Sequence, residues 1–356
     1  MNFANELVQW YQQNKRDLPW RHTTDAYVIW LSEIILQQTR VEQGLPYFNR
    51  FLAHYPTVTD FANASEDDIL KLWQGLGYYS RGRNMLKTAQ LVQAQFGGKF
   101  PSAYEDLIKL KGIGDYTASA ISSFAANEAR AVLDGNVFRV LARYFGIDEP
   151  INSTKGPKIF KQLAGEVLNK TQPAIHNQAM MEFGAMLCKP KNPACGICPV
   201  RMGCEAFKTN ATIYLPVKLK TVKVKERYFN YFLTFKNGEI LMNKRMGNDI
   251  WTGLYDLPLI ETSGLLTVDE LISLPQTTEM FYKRLIVKEV FGLQKHILTH
   301  QRLFIRFVWV ENIPIKMEDD WFYTNVENLN KLALPKIIFL FLTNFFKFEN
   351  NSLFSI

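Results

Sequence analysis

All four cysteines of the 356-residue chain fall in one short stretch, Cys188-x6-Cys195-x2-Cys198-x5-Cys204. Chance would scatter unrelated thiols, and disulfide cysteines would be spread along the chain. A single cluster points instead to a metal centre formed in a reducing compartment. Four thiolates at short gaps can wrap a zinc ion or an iron–sulfur cluster. Zinc ribbons favour repeated Cys-x2-Cys knuckles, and only one such pair occurs here. Spacing alone puts iron–sulfur slightly ahead and leaves zinc open. Whatever else it does, the chain must fold so that this loop closes on a metal.

A chain of this length is expected to form two domains. Its apolar share of 47% is that of a globular protein. A net charge of +7 makes a polyanionic partner such as nucleic acid an even proposition on charge alone. The segment from Met1 to Trp10 carries Glu6 and lacks the apolar core of a signal peptide. The late apolar run Ile337 to Phe346 is interrupted by Thr343 and Asn344 and falls short of the ~20 residues of a membrane span. The expectation is a soluble cytoplasmic protein, nucleoid-associated if bacterial, with no membrane partner.

The chain up to Cys204 reads as helical. Phe3, Leu7, Trp10 and Tyr11 recur at helical spacing, and Tyr27 to Phe51 continues the pattern with a break expected at Pro46. Ser65 reads as an N-cap, Ser102 and Asp115 as further helix starts, and Gly97-Gly98 as a helix stop. After Cys204 the character changes. Residues 215–227 alternate apolar and basic, as an extended linker would. Asn237-Gly238 sits between two β-rich runs and predicts a hairpin. Leu298 to Val310 reads as a strand, with helices near Thr267–Leu274 and at the end. No internal repeat or low-complexity tract is present.

Three features carry candidate chemistry. Leu110-Lys111-Gly112-Ile113-Gly114 precedes a helix start, so Gly112 and Gly114 allow either a plain turn or a backbone phosphate site at a helix N-terminus. Glu33 lies among Trp, Ile and Leu. It is either a water-facing helix residue or a buried acid whose pKa is raised toward neutrality. Asp134 precedes another helix, as an N-cap or as an ionised carboxylate facing a developing positive charge.

The cysteine spacing of six, two and five resembles the iron–sulfur loop of the endonuclease III and MutY group of DNA glycosylases. The Gly112–Gly114 turn is similar to the helix-hairpin-helix of that group. The segments Ser32-Glu33 to Gln37-Gln38-Thr39 and Leu133-Asp134-Gly135-Asn136-Val137 look like the two catalytic segments of MutY-type adenine glycosylases. The resemblance implies a [4Fe–4S] cluster on Cys188, Cys195, Cys198 and Cys204 that is structural, with Lys189, Lys191 and Arg201 as nearby bases. It implies that Glu33 protonates N7 of a flipped-out adenine and that Asp134 stabilises the oxocarbenium-like sugar. Asn136 and Tyr116 would order water and the carboxylates. DNA would be held by Gly112, Gly114, Gln37, Gln38, Arg81 and Arg83, with Tyr78 as a wedge. Without the resemblance, Tyr78 and Tyr79 read as core packing. Endonuclease III carries an imine-forming Lys where this chain has Tyr116, so strand cleavage is not expected.

From Tyr228 onward the chain resembles the Nudix-like domain of MutY. Trp251 to Pro258 is similar to its Gly-Leu-Trp-x-x-Pro stretch. Glu261, Asp269 and Glu270 do not make a Nudix box, so no nucleotide hydrolysis is expected. Leu298-Thr299-His300 stands where the family has Phe-Ser-His, which implies lesion recognition by Thr299 and His300 without the aromatic ring. Read alone, His300 is a structural residue on a strand. The fold expected is multi-domain: an all-α helix-hairpin-helix glycosylase core with the iron–sulfur loop, then an α+β Nudix-like domain. The expected catalytic region is 1–210, with a six-helix subdomain over about 25–130 and an iron–sulfur subdomain from 1–24 plus 131–210. The linker is 211–227, the lesion-recognition domain 228–345, and the tail 346–356. The function implied is a monofunctional, monomeric adenine DNA glycosylase of base excision repair. Its partner would be double-stranded DNA containing A·8-oxoguanine or A·G mispairs. A bifunctional pyrimidine glycosylase/lyase and a non-catalytic iron–sulfur DNA-binding protein are the rivals. Tyr116 speaks against the first, and intact Glu33 and Asp134 against the second.

Overall fold

A computed structural model describes residues 3–219, 224–282, 285–311, 315–318 and 320–349. The chain divides into two compact units, one of residues 1–63 and 84–220, the other of 64–83 and 221–356. Twelve helices occupy the chain up to Lys208, among the described residues. They are α1 (Phe3–Asn14), α2 (Ala26–Leu36), α3 (Val41–His54), α4 (Val58–Ala62), α5 (Glu66–Trp73), α6 (Ser80–Phe96), α7 (Tyr104–Leu107), α8 (Asp115–Ala126), α9 (Gly135–Phe145), α10 (Gly156–Val167), α11 (Pro173–Met186) and α12 (Glu205–Lys208). Of these, α5 and the first turn of α6 group with the second unit.

Local signals fix several helix ends. Asp25 accepts from the Tyr27 N–H to start α2, Thr57 and Asp60 form a reciprocal cap on α4, and Ser65 caps α5. Gly97 and Gly98 take positive φ just beyond α6. Two expectations need correction. The break expected at Pro46 falls at Gln37–Arg40 instead, where Gln38 adopts φ 56°. Pro46 sits near the start of α3, where it removes one ladder bond without ending the helix. The start expected at Ser102 is Ala103, which makes no side-chain cap.

The first unit has two apolar centres. One surrounds α2, where Trp30 meets Phe100 at 4.9 Å and Phe61 at 5.7 Å. The other joins Phe3, Leu7 and Tyr11 of α1 to Val137 and Leu141 of α9, Phe160 of α10, Phe183 of α11 and Val200 of the cysteine loop. Thus the N-terminal helix and the cysteine-bearing segment share one core. Glu182, 1% exposed, seals that core. It accepts from the Arg16 side chain at 2.8 and 2.7 Å and from Arg21 at 2.7 Å. The carboxylate is buried, but these partners hold it down at about 2.

In the second unit a mixed sheet orders β5 (Leu259–Thr262), β1 (Lys225–Leu233), β8 (Gln301–Val310) and β6 (Val287–Val290), with β7 (Gln294–Ile297) also on β8. Strands β1 and β8 run parallel and the other pairs antiparallel. A smaller antiparallel sheet pairs β3 (Glu239–Lys244) with β2 (Phe235–Lys236), β4 (Tyr255–Asp256) and β9 (Trp321–Asn325). The expected hairpin joins β2 and β3, with Asn237 and Gly238 both at positive φ. Strand alternation sends Phe232 and Val308 toward Leu271 of α13 (Val268–Ile272) and Phe281 of α14 (Pro275–Phe281). The opposite face carries Tyr231 and Phe307, and Phe307 stacks at 3.7 Å on Phe341 of α15 (Lys336–Glu349). Two of the three acids singled out near the missing Nudix box have structural partners. Glu261 pairs with Arg227, and Glu270 closes a reciprocal cap on Thr267.

Replacing Glu182 by Ala strands two arginines at the α1–α11 contact, so stability is expected to fall by on the order of 3 kcal/mol in urea titrations. The depressed pKa stabilises the fold fully above pH 4.5, and that contribution disappears as pH falls to about 2. The gap between wild type and Glu182→Gln is therefore expected to be constant above pH 4.5 and to close near pH 2.

Candidate active site

Glu33 lies on α2, a helix with nine of its eleven residues buried and apolar on nearly every side. It is 7% exposed, so the water-facing alternative is excluded. Burial pushes its carboxyl up to about 7; the Tyr116 hydroxyl works against this and the charge of Asp134 with it, while Arg21 draws it down. Tyr116 Oη donates to Glu33 Oε2 at 2.6 Å. Tyr116 is the second residue of α8, which packs against α2. Burial beside two carboxyls keeps its phenol far above the ordinary range, so it stays a donor.

Asp134 is the N-cap of α9, and this role coexists with a place in the site. Its Oδ1 accepts from the backbone N–H of Asn136 at 2.8 Å and of Val137 at 2.7 Å. Its Oδ2 accepts from Asn136 Nδ2 at 2.7 Å. Burial raises its pKa, and these three donors oppose the rise. Glu33, buried, thus comes together with the half-buried Tyr116, Asp134 and Asn136 in one group within the first unit. Two carboxyls in one low-dielectric setting have different company. Asp134 has three donors that favour its anion, and Glu33 has a phenol. The arrangement suits one neutral acid and one anion.

The four cysteines line one nearly apolar cavity with Val140, Arg143, Tyr144 and Val200. Among the described residues no three His, Cys, Asp or Glu donors converge as they would around a single ion. Two residues of α9 that the sequence reading missed organise this loop. Arg143, 3% exposed, donates to the carbonyls of Lys189 and Leu215 at 2.7 and 2.9 Å and approaches Cys188 Sγ at 3.4 Å. Arg139 donates to the Cys188 carbonyl at 2.7 Å and to Asn136 Oδ1 at 2.8 Å. A hydrogen-bonded path therefore runs from Asp134 to the cysteine loop. Their spacing of four on an amphipathic helix was visible, but nothing in the sequence named backbone carbonyls as partners.

At the hairpin, Gly112 has φ 87°, and a Cβ there would meet Asn84 Cβ at 3.1 Å. Gly114 has an ordinary φ of −93°, and a Cβ on it would point into open space. Glycine is required at Gly112 by conformation and at Gly114 leaves room for an approaching group. Gln37 ends α2 and donates weakly to Thr117 Oγ1 at 3.4 Å, and Gln38 is exposed at positive φ.

In the second unit Tyr78 is 42% exposed at φ 48°, and its hydroxyl hydrogen-bonds Thr299 Oγ1. Core packing is therefore excluded for Tyr78 and holds for Tyr79, which is 7% exposed. Thr299 and His300 lie exposed in the turn between β7 and β8, which corrects the placement of His300 on a strand. Arg81 and Arg83 have protein partners. Arg81 donates to the Gly77 carbonyl at 3.2 Å and stacks on Trp73 at 5.0 Å, and Arg83 donates to the Thr252 carbonyl.

Residues 31–169 match the HhH-GPD superfamily of base excision DNA repair proteins, and residues 230–344 match the NUDIX domain. The chain is 33% identical over 361 residues to the adenine DNA glycosylase of Buchnera aphidicola subsp. Baizongia pistaciae, covering 98% of each. It is 42% identical over 213 residues to the human adenine DNA glycosylase, covering 57% of this chain and 39% of that one. A thermostable thymine-DNA glycosylase is similar in structure at a TM-score of 0.54 and 28% identity, over 58% of this chain and 95% of that one. A non-covalent endonuclease III–DNA complex shares the fold at a TM-score of 0.51 and 19% identity, over 58% and 94%. The chain belongs to the MutY-type adenine DNA glycosylase family, and it is a base-excision N-glycosylase.

Proposed function

We propose that the chain hydrolyses the N-glycosidic bond of adenine mispaired with 8-oxoguanine, or with guanine, in double-stranded DNA. The observation that carries this reading is the buried Glu33, held near neutrality as an acid beside an Asp134 rich in anion-favouring donors. The adenine must leave the stack, because neither N7 nor C1′ is well reached inside a duplex. Glu33 gives its proton to N7, which makes the base a neutral leaving group. The Asp134 carboxylate faces the cationic sugar that forms, and water completes the hydrolysis. Tyr116 and Asn136 hold the two carboxyls in place. Tyr116 cannot form an imine, so the strand stays intact at an abasic site.

Gly112, Gly114 and the α8 N-terminus would hold backbone phosphate, with Gln37 and Gln38 on the DNA side of α2. Tyr78 would fill the gap left by the extruded base, since a stacked ring recovers part of the lost stacking. Thr299 and His300 would read the base opposite the adenine. Arg81 and Arg83 would act on DNA through the loop they brace rather than as free phosphate ligands.

Cys188, Cys195, Cys198 and Cys204 fit a [4Fe–4S] cluster. Four thiols lining one small, nearly apolar cavity suit a thiolate-held cluster. Such a cluster would supply structural cross-linking of the loop, since glycosidic hydrolysis moves protons and not electrons.

Five outcomes are expected. Purified protein on an A·8-oxoguanine duplex should release adenine, with strand breakage only after hot alkali. Glu33→Gln should lower single-turnover excision by about 10²–10⁴-fold while binding persists. Nicking without alkali, or turnover retained in that variant, would overturn the assignment. Because the protonated form of Glu33 is the donor, the rate should fall as pH rises through about 7. Tyr116→Phe removes a contact that lowers this pKa, so the descending limb should move to higher pH. Metal analysis of anaerobically purified protein should find about four irons and four sulfides per chain; stoichiometric zinc would refute the cluster.

A further inference from the structure

The loop that carries Tyr78 is held at its base as well as at its tip, within the second unit. At the base, Asp67 in the first turn of α5 receives two donors from the smaller sheet. Lys244 Nζ reaches Oδ1 and Tyr255 Oη reaches Oδ2, each at 2.8 Å. Lys244 and Tyr255 are direct cross-strand partners on β3 and β4, so their side chains emerge on one face and clamp one carboxylate. The neighbouring pair stiffens the same strands. Asp256, fully buried, accepts from Asn243 at 3.0 Å and from Arg245 at 2.9 Å. Further along α5, Lys71 donates to the Leu332 carbonyl at 3.0 Å. Gly253 lies so close to α5 that a Cβ would meet Leu70 Cδ1 at 2.9 Å.

From α5 the rigidity passes to the loop. Trp73 Nε1 donates to the Gly77 carbonyl at 2.9 Å, and Gly75 N donates to Tyr79 Oη at 3.3 Å. Gly75, Gly77 and Tyr78 all take positive φ. For a tyrosine this conformation is unfavourable and persists only where the surroundings impose it. At the tip, the Tyr78 hydroxyl meets that of Thr299.

We propose that Asp67, gripped by Lys244 and Tyr255, is a positioning residue that keeps the Tyr78 ring in register with Thr299 and thereby sets the preference for 8-oxoguanine over guanine opposite the adenine. This rests on the reading of Tyr78 and Thr299 as contacts to that base. A carboxylate early in α5 also favours the helix dipole, and that purely structural role would change stability but not preference.

The test measures single-turnover adenine excision by the full-length, cluster-loaded protein from A·8-oxoguanine and A·G duplexes. Asp67→Ala is expected to cut the ratio of the two rates about tenfold, through slower processing of the 8-oxoguanine duplex, because two bonds to a charged acceptor are lost. Lys244→Met and Tyr255→Phe should each shift the ratio in the same direction. The exchange of Asp67→Lys with Lys244→Asp should restore it relative to Asp67→Lys alone. An unchanged ratio, or an equal fall of both rates with a lower melting temperature, would overturn the proposal. If Tyr78→Ala and Thr299→Ala change the ratio and Asp67→Ala does not, the positioning role alone fails. If those two leave the ratio unchanged, the reading of the lesion contacts fails first.

Discussion

Everything in the helical unit is arranged around the difficulty of burying Glu33. A carboxylate removed from water costs several kcal/mol unless it is paired, and a lone one takes up a proton instead. Here α2 supplies the burial and Tyr116 a side-chain hydrogen bond that lowers the pKa, so the acid is held near neutrality without being fully ionised. A phenol suits this purpose better than an arginine. Glu182 shows the contrast within the same unit. It is as deeply buried, but two arginines pin it as an anion at about 2. The same side chain is therefore a proton store on α2 and a structural anion on α11, and only the neighbours differ.

Asp134 completes that contrast through backbone rather than side-chain charge. The N-cap position gives it two N–H donors at the positive end of α9, and Asn136 adds a third. Among the described residues it makes no ion pair, and Arg139 favours its anion without a direct bond, which leaves its charge available to a transient positive partner. Arg139 and Arg143 act one layer further out, on carbonyls of the cysteine loop and on Asn136. Helix α9 thus presents its N-terminus to the Glu33–Tyr116–Asp134 group while its buried arginines shape the cysteine loop.

Much of this was legible in the sequence for physical reasons. Cysteine clustering, the positive-φ demand at Gly112, capping residues and the Asn237-Gly238 turn are local signals, and local signals survive without tertiary information. Glu33 and Asp134 were legible as candidates but not as alternatives decided. Burial separates the acid from the water-facing helix residue, and burial is a property of α8 packing on α2. The break assigned to Pro46 failed because a proline early in a helix loses a single bond, while the strained Gln38 carried no comparable mark. Arg139, Arg143, Glu182 and the Asp67 contacts were not found, because each acts on a partner distant in sequence or on backbone atoms. The grouping of 64–83 with the C-terminal unit is of the same kind.

That grouping changes how the C-terminal unit should be understood. Its sheet carries no hydrolytic box, and the acids nearest to where one would lie are engaged with Arg227 and Thr267. What the fold retains is rigidity: paired strands, a fully buried Asp256 and two helix-covered faces. Rigidity is useful for discrimination, since two purines that differ at one edge are separated only by groups held to within fractions of an ångström. An exposed ring such as Tyr78, at the tip of a long helical segment, would be poorly placed for such a task by itself. Tied through α5 to Lys244 and Tyr255 by Asp67 and met at its hydroxyl by Thr299, it is joined to the sheet's frame, and on the proposed reading that frame is what the Nudix-like scaffold contributes.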